Sequence, residues 1–202
     1  DLLYARGSRR CQRRVPFDER GTEAAAVAGY EYPGGCGDVN ARGAMTELLA
    51  AEGKLTPSCS KSHVTYTVHL PHEIDELYVD FAYEPKRLED KDKAEPLIRR
   101  ALERFLPEDQ RPRYADRWES YLPLQNLLTL SFDDEERFRG AGHRHDPVQH
   151  LTIGRNAASP GLLPGPIPAG QLKITVSAHC IVTEECRYKL LVGYVSDGRE
   201  RR

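Results

Sequence analysis

Apolar and polar side chains alternate along most of the chain from His63 onward. Every second residue from Val64 to Leu70 is apolar, and a polar residue stands between each pair. This period of two is typical of a β-strand that turns one face towards a core. The same alternation returns in residues 77–83, 128–132, 150–153, 172–178 and 188–192. Proline- and glycine-rich breaks separate these runs, so the pattern predicts an all-β fold, an antiparallel β-sandwich of jelly-roll-like type.

Residues 92–106 change to a helical period. Apolar side chains recur three and four positions apart, at Ala94, Leu97, Ile98, Ala101, Leu102 and Phe105. This spacing predicts one amphipathic helix inserted in the sandwich, with Asp92 as its N-cap and Pro107 limiting its far end. Burying a large apolar side chain contributes about 1.5–3 kcal/mol. The apolar face is therefore expected to cover the sandwich or to pack on a partner.

Residues 1–60 are rich in glycine, alanine, arginine and glutamate, and their apolar positions follow no clear period. Residues 44–51 have a composition that suits two helical turns, although a helix that short is marginal unless it docks on something. The pattern therefore divides the chain into a poorly ordered or irregular extension, residues 1–60, and a sandwich domain, residues 61–202, that carries the helical insertion at about 92–106.

The charge and hydropathy of the sequence argue against a nucleic-acid partner and against a membrane-spanning helix. The formal net charge is −2, and no basic stripe appears over the predicted sandwich, so no nucleic-acid partner is expected. No apolar run approaches the about 18 residues that a transmembrane helix needs, which predicts that the chain has no membrane span.

Five cysteines are present, Cys11, Cys36, Cys59, Cys180 and Cys186. An odd number without a CxxC pair is not a disulfide framework and predicts free thiols in a reducing cytoplasm. An extracytoplasmic location stays open, because the chain begins with Asp1 rather than Met. Cys180 and Cys186 flank a break of hairpin length, so a cross-strand disulfide between them is the alternative.

Three histidines lie close together in the sequence, at His143, His145 and His150. If they converge, three imidazoles could hold zinc or another divalent metal with one position left for water. The alternative is a histidine-containing surface loop, because glycines and a proline flank the cluster. No other cofactor is expected.

Acidic and aromatic clusters suggest two weaker sites. Asp133-Asp134-Glu135-Glu136 offers the oxygen ligands that calcium favours, but it lacks the EF-hand spacing and reads better as a solvated turn. Tyr114, Trp118 and Tyr121 could form a platform that stacks on a carbohydrate ligand, or they could anchor a loop on the core.

Four segments of the second half carry a resemblance to a known family: residues 126–133 (NLLTLSFD), 138–141 (FRGA), 158–170 (ASPGLLPGPIPAG) and 186–188 (CRY). Together they resemble the β-sandwich domain that precedes the catalytic PHP domain in bacterial metallohydrolases of the carbaryl-hydrolase-like (CehA/McbA) group. The similarity runs from about residue 63 to residue 195. It implies a non-catalytic accessory domain whose partner is a PHP-type catalytic domain, in cis or in trans.

The resemblance transfers no catalytic residue, because the metal cluster of PHP enzymes lies in a separate barrel that would be expected only beyond Arg202. Two other functions remain as alternatives, a carbohydrate- or other ligand-binding module and a small metal-dependent hydrolase that uses the histidines. The Pro/Gly stretch also has a purely structural interpretation. Pro164, Pro166 and Pro168 lack N–H donors, so the stretch can cross between sheets without pairing, and Gly170 permits a sharp entry into the next strand.

Overall fold

Two four-stranded antiparallel sheets form the body of the protein in a computed structural model that describes residues 45–142 and 145–195. Sheet A has the strand order β1-β10-β3-β8, sheet B has the order β2-β9-β6-β7, and β4 pairs only with β5. The strands are β1 Met45–Leu55, β2 Ser62–Leu70, β3 Glu76–Glu84, β4 Arg87–Leu88, β5 Leu124–Gln125, β6 Leu127–Asp133, β7 Phe138–Gly142, β8 Val148–Gly154, β9 Gly170–Cys180 and β10 Cys186–Val195. The predicted antiparallel β-sandwich is confirmed.

The alternating apolar positions build the core between the two sheets, as the period of two requires. Sheet B contributes Leu128, Leu130, Phe132, Leu172, Ile174 and Val176, and sheet A contributes Leu77, Val79, Phe81, Leu151, Leu190 and Val192. A hydroxyl–hydroxyl contact of 2.7 Å between Tyr66 and Tyr188 also links the sheets. The Tyr188 ring lies over Gly53 of β1, where a Cβ atom would stand 2.2 Å from it, so a larger residue at this position would have to displace the ring.

The helix predicted over residues 44–51 is wrong, because this segment forms most of β1. Strand β1 pairs along its length with β10, from Met45 opposite Val195 to Leu55 opposite Cys186. A bulge between Glu47 and Leu49 breaks the alternation, and the alanines and glutamates favour a helix locally. Pairing with a central strand outweighs that weak local preference. Residues 45–60 thus join the sandwich, while residues 1–44 of the predicted extension lie outside the described residues.

The helical insertion lies between β4 and β5. Helix α1 spans Lys91–Phe105, and the short helix α2 spans Arg111–Ala115. The N-cap is Asp90 rather than Asp92, because Asp90 Oδ1 accepts the N–H groups of Asp92 at 3.0 Å and Lys93 at 3.2 Å. No helix within the described ranges is long and apolar enough to span a membrane.

The hairpin predicted for the last two strands is also wrong. Strand β9 lies in sheet B, where Cys180 is opposite Leu127, and β10 lies in sheet A, where Cys186 is opposite Leu55. The connecting residues cross from one sheet to the other, so the two cysteines do not face each other across a ladder. Both thiols are free, Cys180 exposed and Cys186 buried, so the alternative disulfide between them does not form.

Candidate functional site

Two of the segments that carry the family resemblance, residues 138–141 and 158–170, lie against each other. Residues 155–169 leave β8 in sheet A and reach β9 in sheet B, as expected for the Pro/Gly stretch, and on the way they contact β7. The N–H of Ala141 donates to Gly161 O at 3.0 Å, and the N–H of Leu163 donates to Arg139 O at 2.8 Å. Gly170 enters β9 with φ of +122°, a conformation that favours glycine.

The buried side chain of Arg139 holds residues 155–169, the Pro/Gly crossing, in place. Its side chain is fully buried, and its Nη2 donates to the carbonyl oxygens of Gly165 and, at 2.9 Å, of Pro166. Its Nε lies 3.2 Å from Asp134 Oδ2, close enough for an ion pair although not aligned as a hydrogen bond. Burial lowers the pKa of the guanidinium, and the nearby Asp134 carboxylate opposes that shift.

The acidic turn is therefore not simply solvated, as its sequence suggested. The Asp134 side chain is almost fully buried, and its Oδ1 accepts the N–H groups of Glu136 at 2.9 Å and Arg137 at 2.8 Å. Glu135 Oε1 accepts the N–H of Gln171 at 3.0 Å, which ties the turn to the start of β9. These carboxylates already have protein donors, and their arrangement is structural.

The histidines do not form a metal-binding group in the part of the chain that is described. His143 lies outside the described residues, and His145 is exposed on the β7–β8 connection. His150 projects from β8, with Nδ1 2.6 Å from Asp80 Oδ1. Among residues 45–142 and 145–195, no three His, Cys, Asp or Glu side chains are placed to hold a metal ion.

The three aromatic side chains belong to the helical insertion rather than to a sheet face. Trp118 is half-buried and packs against a small separate core formed by Leu88, Ala94 and Ile98. Tyr114 and Tyr121 are exposed at its surface. Trp118 thus anchors the insertion, and a carbohydrate platform made by all three rings stays a prediction.

Asn126, which the sequence pattern did not single out, organises a buried polar cluster at the base of the insertion. Its Nδ2 donates to Pro85 O and to Thr183 Oγ1, both at 2.7 Å, and its Oδ1 accepts the N–H of Val182 at 2.7 Å. The side chain therefore joins three separate segments of the chain. A lone Asn before a strand gives no sequence signal for such a role, since its partners are distant in sequence.

Lys86 and Tyr83 extend this cluster. Lys86 Nζ donates to Tyr83 Oη at 2.8 Å and to Asn126 O at 2.9 Å. Burial raises the pKa of Tyr83 to about 12 and that of Cys186 to about 11, and it lowers the pKa of Lys86. Desolvation keeps the Tyr83 hydroxyl and the Cys186 thiol protonated and neutral, which suits a packed interior more than a reactive surface.

The insertion leaves apolar surface uncovered. Helix α1 buries Ala94 and Ile98, whereas Leu97 is 36% exposed and Phe105 is 68% exposed. A groove between α1 and α2 is lined by both apolar and charged side chains, those of Leu102, Pro112, Ala115, Arg99, Glu103, Glu108 and Arg111. Apolar side chains at the centre of a patch with a charged rim are typical of protein interfaces.

Comparisons with known proteins add no relative to this picture: no family model, no curated protein and no solved structure gives a significant match to the chain.

Proposed function

We propose that this chain is a non-catalytic accessory domain that docks on a PHP-type metallohydrolase catalytic domain, in cis or in trans. The observation that carries the proposal is the uncovered apolar surface of α1. The resemblance described above names the partner class, and the helical insertion provides the surface.

Helix α1 has one apolar face, and the small core around Leu88 and Trp118 covers only part of it. Ala94 and Ile98 contact Leu88 and the residues around Trp118. Leu97 and Phe105 extend the same apolar face into solvent. Removing Leu- and Phe-sized side chains from water contributes about 1.5–3 kcal/mol each when burial is complete. A partner that covers both would gain a share of that energy in proportion to the exposed area, which is larger for Phe105 than for Leu97.

We also infer that the sandwich is a jelly roll. In both sheets, the first four of the eight sandwich strands in chain order (β1, β2, β3 and β6) alternate with the last four (β7 to β10), in the orders β1-β10-β3-β8 and β2-β9-β6-β7. Two interlocked Greek keys produce this alternation. Because jelly rolls serve many unrelated functions, the fold supports a scaffold but does not select the partner. The selection comes from the insertion, which is an addition to the eight paired strands of the two sheets.

The test is to look for a PHP reading frame beside this one in the same genome and to measure direct binding of its catalytic domain. Isothermal titration of the full chain should give a stoichiometric complex. Leu97→Ser combined with Phe105→Ser should weaken it by about tenfold or more, which corresponds to about 1.4 kcal/mol. Leu163→Ser is the matched control, because Leu163 is 48% exposed but lies on the Pro/Gly crossing.

Far-ultraviolet circular dichroism and thermal unfolding would show that all variants remain folded. Absence of a PHP reading frame beside this one, no binding by the wild type, or equal loss with Leu163→Ser would each refute the proposal.

A further inference from the structure

Sheets A and B have four edge strands between them, and three of these are protected against pairing with another chain. At β7, Gly140 forms a bridge with Leu162 of the Pro/Gly crossing. At β8, Ser159 donates its N–H to Thr152 O at 2.9 Å, and Gly154 donates to Ala157 O at 2.8 Å. Strand β1 carries a bulge and charged side chains. Bulges, charges and covering loops are the devices by which natural sheets blunt their edges.

Among residues 45–142 and 145–195, nothing gives strand β2 any of these devices. It forms the edge of sheet B, and within the described residues its only strand partner is β9. Ser62–Leu70 contains no proline, lysine, arginine, aspartate or glutamate, and it pairs with β9 in an unbroken register. Valine, threonine and tyrosine at its centre favour extended structure. A long, regular edge of this kind presents unpaired backbone groups to another strand.

The sequence of β2 is symmetric about Tyr66. Residues 63–69 read His-Val-Thr-Tyr-Thr-Val-His, the same in both directions. An antiparallel copy related by a two-fold axis at Tyr66 would place Thr65 opposite Thr67 and Val64 opposite Val68. Threonine–threonine and paired β-branched side chains are favourable cross-strand neighbours. All of these pairs also keep each side chain on its own face of the sheet.

The exposure of β2 fits that arrangement on both faces. Thr65 and Thr67 are exposed on the outer face, whereas Val64, Tyr66 and Val68 are only half-buried and pack on the edge of the core. A second β2 would cover the open flanks of these three side chains. An isologous contact needs a surface that complements itself. Strand β2 meets this requirement, because each residue from 63 to 69 would lie opposite a residue of the same type.

We propose that a second copy of this chain pairs antiparallel with β2, about a two-fold axis at Tyr66, and joins the two copies of sheet B into one continuous sheet. The contact is distinct from the docking surface on α1, so the two proposals stand or fall separately. Backbone hydrogen bonds supply much of the affinity in such strand addition, and the side-chain pairs fix the register.

A charge swap tests the register. Thr65→Lys/Thr67→Lys sets lysines opposite each other in the proposed dimer, and Thr65→Glu/Thr67→Glu does the same with glutamates. Like charges directly opposite are destabilising, and opposite charges are favourable. Sedimentation velocity over a concentration series should show a monomer–dimer equilibrium for the wild type, monomers for each double variant alone, and a one-to-one heterodimer when the two variants are mixed.

Thr65→Lys/Thr67→Glu is the matched control, because each lysine then lies opposite a glutamate and the homodimer should return. A wild type that stays monomeric at every concentration would overturn the proposal, including the case in which hydrogen exchange finds β2 covered by residues 1–44. A dimer that survives both like-charge variants, or a mixture that fails to associate, would overturn it as well.

Discussion

Replacing Arg139 with methionine would remove the positive charge that the core of the Pro/Gly crossing encloses. The Asp134 carboxylate, almost fully buried, would lose its opposite charge, and the carbonyl oxygens of Gly165 and Pro166 would lose their donor. Breaking one partner of a buried ion pair costs about 3–5 kcal/mol, because the remaining charge stays desolvated. A domain of ordinary stability, about 5–15 kcal/mol, would remain folded but become much easier to unfold.

Urea unfolding followed by the fluorescence of the single tryptophan, Trp118, and by circular dichroism measures this loss. Asp134→Asn removes the charge while keeping the Oδ1 acceptor that serves the turn. Since the two side chains lie together, the double variant with Arg139→Met should lose less than the sum of the single losses, by about 1–3 kcal/mol. Arg137→Met is the control, because Arg137 donates to Pro164 O from an exposed position.

Two results would refute the reasoning on Arg139. One is a loss below about 1 kcal/mol for Arg139→Met, no larger than the effect of an ordinary surface change such as Arg137→Met. The other is simple additivity of Arg139→Met and Asp134→Asn, which would mean that the ion pair has no interaction energy of its own.

Asn126→Ala should lower the free energy of unfolding in urea by about 2–4 kcal/mol, because it leaves buried N–H groups without an acceptor. An unchanged unfolding midpoint would contradict the role given to Asn126 in the buried polar cluster. Gly53→Ala should cost about 1–3 kcal/mol by the same assay, since the new methyl group meets the ring of Tyr188, and Tyr188→Leu should relieve much of that cost. Burial raises the pKa of Cys186 from its ordinary 9.0 to about 11, so the folded state retains the thiol proton. The resulting stabilisation is complete below pH 9.0 and is lost as the pH rises through 11. The difference in free energy of unfolding between the wild type and Cys186→Ala should therefore shrink over that range. A constant difference would refute this prediction.

The strands that alternate cleanly could be predicted from sequence because the period of two is a local property. Residues 172–178 fall in β9 with Leu172, Ile174 and Val176 buried and their neighbours turned outward, as the pattern required. The same holds for α1, whose bounds follow its apolar spacing to within one residue. Sequence predictions were wrong where the local preference of the residues and their tertiary pairing disagree. In β1, for example, residues that favour a helix pair with a central strand.

Long-range partners could not be predicted in this way. The hairpin-length break before β10 resembles a tight turn, yet the two strands belong to different sheets, because a local pattern does not specify which strand becomes a neighbour. Asp134 looked like part of a solvated turn for the same reason. Its charge partner Arg139, which the pattern did not single out, donates to carbonyl groups 26 and 27 positions further along the chain. Asn126 meets partners up to 57 positions away.

The pairing of Met45 with Val195 brings the two boundaries of the described sandwich side by side. A short bridge between these positions would close the backbone into a ring without moving any strand, and a new opening could then be made in an exposed turn. The sandwich is therefore suited to circular permutation, in which the same strands are joined in a different chain order. In a fusion protein, a partner joined at either position would be attached at the same corner of sheet A.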